Sequence, residues 1–472
     1  MLFYLSATLD SSSLGLLSTR TTAMEVRSWL ATCSSSSCTA TAADATVPLY
    51  RSSNCGTSRS SDSPSGTSTS SSSSSNSSSS SRETSSSSIE SNLSLQTLPS
   101  VPSLQTLTTD SLHLSVSHHV LYTLSPPCLL PITCLAPHGK LLYAACGHEI
   151  HVYDASNASA GGEIFHIDAF NIRASSTGSV KSVAFCGGRV FTAHQDAKIR
   201  VWEAAPDGRQ HGLAATLPTV GDRLRRFMLP KNYVTVRRHR KQLWIEHADA
   251  ISALASNDGL VYSVSWDKTL KTWRGGSDSG SDLRCLESVR AHHDAVNAVV
   301  VATDGTVYTG SADRRIRVWA RQTGEKRHSL VATLEKHRSA VNALALSGDG
   351  SVLFSGACDR SILVWEREDS ANHMVVTGAL RGHAKAILCL INISDLLLSG
   401  SADRTVRIWR RGAEGRYCCL AVLQGHRKPV KSLAAVSGGD GLVTVFSGSL
   451  DGEIQVRRVL VSSVDKGRFG SC

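Results

Sequence analysis

The sequence predicts an all-β protein, a seven-bladed β-propeller that follows a long, disordered, Ser-rich N-terminal tail. Three observations support this prediction. A sequence motif recurs every 44–46 residues, apolar and other residues alternate on both sides of it, and the composition changes abruptly near residue 115.

The recurring motif has an Asp six residues before a Trp. Four copies occur in succession: SVSWDKTLKTW, TGSADRRIRVW, SGACDRSILVW and SGSADRTVRIW, with steps of 46, 46 and 44 residues between their aspartates. Weaker copies flank them: TAHQDAKIRVW, SGSLDGEIQVR with Arg457 in the Trp place, and AACGHEIHVY with Gly147 and Tyr153. A fixed period of this length indicates repeated structural units, here seven of them between residues 116 and 460.

Each unit reads as four short strands. Apolar residues alternate after the Asp, as in Ile316-x-Val318, and another apolar strand ends one or two residues before it, so the Asp marks a tight hairpin turn. A third strand such as AVNALALS follows a His, and a fourth such as SLVATLE precedes that His. Four strands per unit of this length are typical of a propeller blade. The predicted units are 125–155, 165–204, 223–275, 285–321, 328–368, 374–411 and 417–459.

Ring closure needs one further strand, because a propeller must not leave an open sheet edge. The seventh unit has no fourth strand of its own beyond EIQVRRV. The segment SHHVLYTL at 117–124, with Val120, Tyr122 and Leu124 alternating, is predicted to supply it. The propeller then spans 116–462, and 463–472 is a C-terminal tail.

The tail at 1–115 is dominated by Ser and Thr, with a nearly unbroken serine tract over 68–81. Such a segment buries too little apolar surface to offset its ordering entropy, so we expect it to be disordered. MEVRSW makes Met24 an alternative start to Met1. SLQTL occurs at Ser94 and again at Ser103, either as a linear docking motif or, as we favour, as a segment that packs on the side of the propeller.

Cytoplasmic and/or nuclear localisation is expected. No run of about 18 apolar residues indicates a spanning helix, and MLFYLSATL is too short for a secretory signal and has no basic start. The 13 cysteines include no C-x-x-C pair, which favours reduced thiols.

These repeats resemble the WD40 family over about three quarters of the chain. The resemblance implies that a strand Ser or Thr, a loop His, the turn Asp and a strand Trp form a hydrogen-bonded tetrad inside each blade. The four complete sets are His247, Ser263, Asp267 and Trp273; His292, Thr309, Asp313 and Trp319; His337, Ser355, Asp359 and Trp365; and His383, Ser399, Asp403 and Trp409. The incomplete sets are Thr192, Asp196 and Trp202, with Ser176 in the His place, and His426, Ser447 and Asp451, without Trp. The first unit lacks the tetrad.

Recurrence argues against catalysis by these Ser, His and Asp residues. A hydrolase needs one activated serine, whereas every blade needs its buried polar groups paired. The chain has no G-x-S-x-G, H-E-x-x-H, P-loop or G-x-G-x-x-G motif. We therefore expect no enzyme, no catalytic residue, no cofactor and no metal site, but a scaffold that binds other proteins.

The layout of Ser-rich region, seven repeats and the insertion RLRRFMLPKNYVTVRRHRKQLWIEH is similar to that of the JINGUBANG-type WD40 proteins of plants. That resemblance implies a negative regulator of pollen germination that acts through protein partners, including regulatory proteins such as transcription factors. The propeller is expected to be monomeric.

The insertion lengthens the step from Asp196 to Asp267 to 71 residues. It is basic and has no acidic residue over 223–241, with Arg223, Arg225, Arg226, Lys231, Arg237, Arg238, Arg240 and Lys241. One interpretation is a docking patch for an acidic protein, a nucleic acid or an anionic surface. The alternative is that YVTVRRHRKQLWIEH forms the outer strand of the third blade, where basic residues prevent edge-to-edge aggregation.

A second candidate surface is the top rim, where the WD40 resemblance places the residue before each turn Asp. That residue is small or aliphatic in most units, but the third has Trp266, a candidate interface hot spot. The loops after each His add His293, Asp294, Arg338, Lys385, Arg427 and Lys428, a mostly basic ring that suits an acidic peptide. Alternatively, Trp266 covers the third blade or packs on the insertion.

Two other functions stay open. A substrate receptor of a ubiquitin ligase would be favoured by Trp-Asp-x-Arg after the third strand, but the strands continue as WEAA, WARQ, WERE and WRRG. Nucleic-acid binding through the insertion would show a steep salt dependence.

Overall fold

The structure is a computed structural model of the 472-residue chain. It describes residues 101–105, 114–127, 130–158, 162–171, 178–205, 210–237, 239–275, 283–322, 324–325, 327–367, 374–412, 415–439 and 441–463. The predicted disordered tail therefore lies outside the described residues, apart from 101–105 and the first residues of the closing strand. The C-terminal tail lies outside them from residue 464 onward.

The described strands form seven antiparallel four-stranded sheets, which we number as blades in chain order, and one two-stranded hairpin. Blade 1 comprises β2 (Ile132–His138), β3 (Leu141–Cys146), β4 (Glu149–Asp154) and β5 (Phe165–Phe170). Blade 2 comprises β6 (Val180–Cys186), β7 (Arg189–His194), β8 (Ile199–Ala204) and β9 (His211–Leu217). Blade 3 comprises β12 (Ile251–Asn257), β13 (Leu260–Ser265), β14 (Thr269–Arg274) and β15 (Cys285–Arg290).

Blades 4 to 7 repeat the same order. Blade 4 comprises β16 (Val296–Val301), β17 (Val307–Ser311), β18 (Ile316–Arg321) and β19 (His328–Leu334). Blade 5 comprises β20 (Val341–Leu346), β21 (Val352–Ala357), β22 (Ile362–Arg367) and β23 (Met374–Leu380). Blade 6 comprises β24 (Ile387–Ile393), β25 (Leu396–Ser401), β26 (Val406–Arg411) and β27 (Tyr417–Leu423). Blade 7 comprises β28 (Val430–Gly439), β29 (Leu442–Ser449), β30 (Ile454–Ser463) and β1 (Leu114–Leu124).

The sheets form a closed ring. The first strands of successive blades contact one another in the cyclic order β2, β6, β12, β16, β20, β24, β28 and back to β2. Apolar clusters fill the spaces between neighbouring blades, as where Leu344 of blade 5 packs with Tyr308 and Val318 of blade 4. The predicted seven-bladed β-propeller is confirmed.

Sequence units and sheets are offset by one strand. The first strand of each unit is the outer strand of the preceding blade, so β15, from the unit predicted at 285–321, pairs with β14 of blade 3. A single unit therefore does not build a single blade. The first strand of each unit pairs with the open edge of the preceding blade. Main-chain hydrogen bonds therefore join every unit to its neighbour.

Blade 7 is completed by the two ends of the folded region. β1 pairs antiparallel with β30 from Leu114↔Ser463 to Leu124↔Ile454, and it contains the segment 117–124 assigned to closure. The predicted alternation is interrupted, because the register shifts between Val120 and Tyr122. Val120 is consequently 53% exposed, whereas Tyr122 and Leu124 pack against the core between blades 7 and 1.

The insertion is a structure of its own between β9 and β12. Helix α1 (Val220–Phe227) begins after Thr219, whose hydroxyl accepts the Asp222 N–H at 3.1 Å. A 3₁₀ turn (Pro230–Asn232) and a hairpin of β10 (Tyr233–Arg237) and β11 (Arg240–Leu243) follow. The alternative that this segment is the outer strand of the third blade is wrong, because β15 already occupies the outer position of blade 3 and β9 that of blade 2.

The segment 101–105 lies on the outer side of the propeller. It forms parallel bridges to the outer strands of two blades, Ser103↔Ala379 in blade 5 and Gln105↔Tyr417 in blade 6. The described part of the second SLQTL copy thus packs on the side of the ring. The first copy lies outside the described residues.

Candidate protein-docking face

Blade 3 shows how the four polar residues of a unit are joined. The Trp273 indole N–H donates to Ser263 Oγ at 2.8 Å, and that oxygen lies 2.8 Å from His247 Nε2. His247 Nδ1 lies 2.9 Å from Asp267 Oδ2. Because the Asp carboxylate accepts, Nδ1 carries the proton and Nε2 accepts from the Ser hydroxyl. Every polar group of the set is thereby paired.

Blades 4, 5 and 6 repeat this network. The three bonds, taken from Trp to hydroxyl, hydroxyl to His and His to Asp, measure 3.0, 2.9 and 2.9 Å in blade 4; 2.8, 2.8 and 2.9 Å in blade 5; and 2.9, 2.8 and 2.8 Å in blade 6. The hydroxyl-bearing residues of all four networks are 0% exposed. A hydroxyl sealed inside a sheet is out of reach of an external substrate, so these groups stabilise the blades.

The tetrad charges are fixed by their surroundings. Burial by itself raises the pKa of Asp359, but the attraction and hydrogen bond of His337, with the hydroxyl and N–H of Ser361, outweigh it and lower the pKa to about 2. Asp313 follows the same balance with His292, again to about 2. Burial lowers the pKa of His247 despite the nearby Asp267 carboxylate. In blade 3 the pair is therefore a carboxylate that accepts from the neutral His247 imidazole.

The Asp also closes the turn between the second and third strands of a blade. Its Oδ1 accepts the N–H two residues later, as from Thr269 at 2.9 Å and Ser361 at 3.1 Å. The intervening residue adopts a positive φ, 74° at Lys268 and 70° at Arg360. One carboxylate thus holds the hairpin and the loop His together, which explains its fixed place in the repeat.

Blade 2 replaces the missing loop His with a histidine from one of its strands, which the sequence analysis missed. Ser176, predicted in the His place, lies outside the described residues. His194, two residues after Thr192 on the same strand, bonds its hydroxyl at 2.8 Å, and Trp202 donates to that hydroxyl at 2.9 Å. Asp196 instead pairs with Arg200, with Nη2 to Oδ2 at 2.5 Å. The visible signal was TAHQD, where the stronger copies have a small residue in place of the His.

Blades 1 and 7 depart further. In blade 7 His426 bonds Ser447 at 2.8 Å, but its Nδ1 is 3.8 Å from Asp451. Arg457 stands in the Trp place and donates to the Gln424 carbonyl and to Gln455 Oε1. In blade 1 Tyr153 occupies the Trp place and is buried, and Ala144 stands where blade 3 has the hydroxyl-bearing Ser263.

The tetrads position the loops of the candidate rim. The residue after the loop His donates its backbone N–H to the same Asp, at 3.1 Å for His293, 3.1 Å for Arg338 and 3.0 Å for Arg427. All six predicted loop residues are exposed: His293, Asp294, Arg338, Lys385, Arg427 and Lys428. The basic ones belong to the loops before blades 5, 6 and 7, whereas exposed Asp249 and Asp294 lie before blades 3 and 4. The loops before blades 5, 6 and 7 thus carry exposed basic residues, and those before blades 3 and 4 carry an exposed aspartate.

Trp266 is half-buried rather than free. It lines a cleft of about 1180 Å³ together with Trp244 and Val236 of the insertion segment and Leu286 of β15. Trp266 and the insertion thus line the same cleft.

Part of the basic insertion serves to fix it to blade 3. Arg223 pairs with Glu246 at 3.0 Å. Arg226 pairs with Asp222 at 2.9 Å, and its guanidinium lies 4.6 Å above the Trp244 ring. Asp222 in turn accepts the Cys285 N–H at 3.1 Å, which ties α1 to β15.

The other basic residues of the insertion are either exposed or outside the described part of the chain. Arg225, Lys231, Arg240 and Lys241 are exposed, and none forms an ion pair with a residue that the structure describes. Arg238 and the side chain of Arg237 lie outside the described part. Among the described residues, the positive charge without an ion pair therefore lies on α1, the 3₁₀ turn and the hairpin.

Helix α1 also presents an apolar surface that the sequence analysis missed. Val220, Leu224, Phe227 and Met228 are between 47% and 73% exposed. Their spacing of four, three and one residues places them along one helix face, which was the available signal. Exposed apolar side chains grouped together and bordered by charge mark an interaction surface. We call these four residues the α1 patch.

Comparison with known families identifies the repeat. The family described as WD domain, G-beta repeat (WD40) matches residues 240–274, 283–320, 328–366, 374–410 and 417–457. Five segments of the chain therefore match the WD40 repeat. Each matched segment contains a loop His, a strand hydroxyl and a turn Asp, and the WD40 assignment is further supported by the seven-bladed ring. No curated protein matches the chain.

Within the described residues, no helix is long and apolar enough to cross a membrane. Over the same residues no group of three or more His, Cys, Asp or Glu side chains is arranged to hold a metal ion. Among the cysteines, Cys134, Cys186, Cys285, Cys358, Cys389, Cys418 and Cys419 are free.

Proposed function

We propose that this protein is a non-enzymatic interaction scaffold that docks an acidic, partly apolar segment of a partner protein on the α1 patch. WD40 propellers fit a role as scaffold or adaptor. The observation that supports the site is the α1 patch itself, where four apolar side chains stay exposed on a helix that the rest of the insertion holds in place.

The charge around the patch favours an acidic partner. Arg225, Lys231, Arg240 and Lys241 are exposed beside it without ion pairs in the described part of the chain. Apolar contacts supply most of the affinity at such a surface, while complementary charge raises the association rate and selects the partner. A separate cleft lined by Trp244 and Trp266 lies between the hairpin and blade 3.

The finer functional assignment rests on the sequence resemblance to JINGUBANG-type proteins. On that basis we propose a negative regulator of pollen germination that acts in the cytoplasm or nucleus through regulatory proteins such as transcription factors. The Ser-rich tail, seven repeats and basic insertion support this assignment.

The test is quantitative affinity capture from pollen extract with the full chain. Leu224→Asp with Met228→Asp places two charges in the α1 patch, and Leu330→Asp places one on a similarly exposed leucine of β19. Partners that dock on the patch are lost with the first variant and kept with the second. Equal capture by both would refute docking at this site.

Two further arms separate the alternatives. If nuclease treatment releases the captured material and binding falls steeply with salt, the insertion binds nucleic acid instead. A substrate receptor would capture ubiquitin-ligase subunits together with its substrate. In cells, the Leu224→Asp and Met228→Asp chain would then slow the degradation of that substrate.

A further inference from the structure

A groove on the outer side of the ring, between blades 5 and 6, binds a piece of the chain in extended form. The Ala379 N–H donates to the Pro102 carbonyl at 2.9 Å, and the Leu104 N–H donates to the Ala379 carbonyl at 3.1 Å. The Tyr417 N–H donates to the Leu104 carbonyl at 2.7 Å. One short segment therefore forms main-chain hydrogen bonds with the outer strands of two blades. Proteins that bind a peptide as an added strand use the same kind of main-chain bond.

Three side chains add selectivity. Val101 is 5% exposed and lies in the core cluster with Met374 and Ala379. Leu104 packs against Gly378, where any Cβ would lie 2.3 Å from Leu104 Cγ. The Gln105 side-chain amide donates to the Arg381 carbonyl.

Gly378 keeps space for the leucine. The three nearest atoms that an added Cβ would meet there all belong to Leu104. Its backbone has no positive φ, so a side chain would cost the β23 strand nothing in conformation. The notch at Gly378 is thus a leucine-sized recess that the blade itself does not need.

The sequence contains this ligand twice. Residues 94–98 and 103–107 both read SLQTL, so Ser, Leu and Gln recur in the same order nine residues apart. The residue two before the Ser is Val101 in the second copy and Asn92 in the first. The first copy keeps the leucine and glutamine but lacks the buried valine.

We infer that the groove between blades 5 and 6 is a peptide-binding site for the motif Ser-Leu-Gln, and that the upstream copy at 94–98 is its second, weaker occupant. The two copies are joined by a short tether, so whichever is unbound stays at high effective concentration near the groove. The site works as a peptide exchanger on the side of the ring, independently of the α1 patch.

The experiment uses the full chain with Leu95→Asp and Leu104→Asp, which weakens both internal copies. Fluorescein-labelled VPSLQTL and NLSLQTL peptides are titrated and followed by anisotropy, with a scrambled peptide as reference. VPSLQTL binds, and NLSLQTL competes for the same site about tenfold or more weakly, because asparagine replaces the buried valine.

Gly378→Ala, added to that chain, abolishes binding of both peptides by filling the leucine recess. Gly212→Ala in the outer strand of blade 2 is the matched control, because an added Cβ there meets nothing within 4 Å. Circular dichroism shows that both variants are folded. If VPSLQTL does not bind the freed groove, or binds equally after Gly378→Ala, the site does not exist. If only VPSLQTL binds, the second occupancy is refuted.

Discussion

Replacement of Ser399 by alanine tests whether the recurring Ser, His and Asp residues stabilise the blades. Ser399 Oγ accepts from Trp409 at 2.9 Å and contacts His383 Nε2 at 2.8 Å. Trp409 is 0% exposed and His383 is 3% exposed, so neither nitrogen reaches solvent after the change. The space left by one oxygen atom is too small for a well-bonded water.

The magnitude follows from the two nitrogens left without partners. Each buried, unsatisfied group costs about 1–3 kcal/mol, and the His383 bond to Asp403 persists, so we expect a loss of about 2–4 kcal/mol. Urea unfolding of the full chain measures it as a lower midpoint at unchanged slope. At urea concentrations well below its unfolding midpoint, the Ser399→Ala chain binds partners as wild type does.

Ser399→Thr is the matched control, because blade 4 uses Thr309 in the same network with bonds of 3.0 and 2.9 Å. It keeps the hydroxyl and loses little stability. A Ser399→Ala chain that unfolds within about 0.5 kcal/mol of the threonine variant refutes the structural role. An alanine variant that keeps its stability but no longer acts in cells would point to chemistry at the hydroxyl.

Three further predictions concern pH, closure and the insertion. Because folding lowers the pKa of Asp359 from 3.8 to about 2, its ionised carboxylate stabilises the fold fully above pH 3.8, and this stabilisation is lost as the pH falls toward 2. Between pH 5 and pH 2 the free energy of unfolding should therefore fall by about 2 kcal/mol more in wild type than in Asp359→Asn. Parallel curves of unfolding free energy against pH would contradict this. Deleting 1–100 should leave thermal unfolding cooperative, whereas deleting 1–125 removes β1, opens the edge of β30 and should cause aggregation seen by light scattering; identical melts would show that closure is dispensable. Arg226→Ala removes the contact with Trp244 and should destabilise the insertion by about 1 kcal/mol, seen as faster proteolytic cleavage within it; unchanged cleavage would mean that the ion pair and stacking do not hold it.

The repeat made most of the ring predictable. The Asp-to-Trp spacing locates a turn and the strand after it, and both are local features set by a few neighbouring residues. The number of units then follows by counting. The tetrad residues of blades 3 to 6 stand where the motif places them, since the turn Asp can meet only the loop His that precedes it in the same unit.

The missed features depend on contacts between distant segments. His194 replaces a loop His through a strand position, which only the three-dimensional distance to Thr192 shows. The bulge near Val120 follows from pairing with β30, more than 300 residues away. One of the two interpretations placed part of the insertion in the third blade as a basic edge strand, but the outer positions of blades 2 and 3 are occupied by β9 and β15. The pattern identifies strands and does not specify which open edge each strand joins.

Blade 7 has a consequence for the order of biosynthesis. Its strand β1 emerges from the ribosome first among the blade strands, and its partner β30 emerges last. Every other sheet can form while synthesis continues, but β1 must wait as a lone strand until almost the whole chain has been made. Its apolar residues are then exposed to other nascent chains, the stage at which incompletely folded proteins aggregate. Because Leu114 pairs with Ser463, completion also brings these two positions side by side, so fluorescent labels placed at 114 and 463 would report ring closure as a rise in energy transfer.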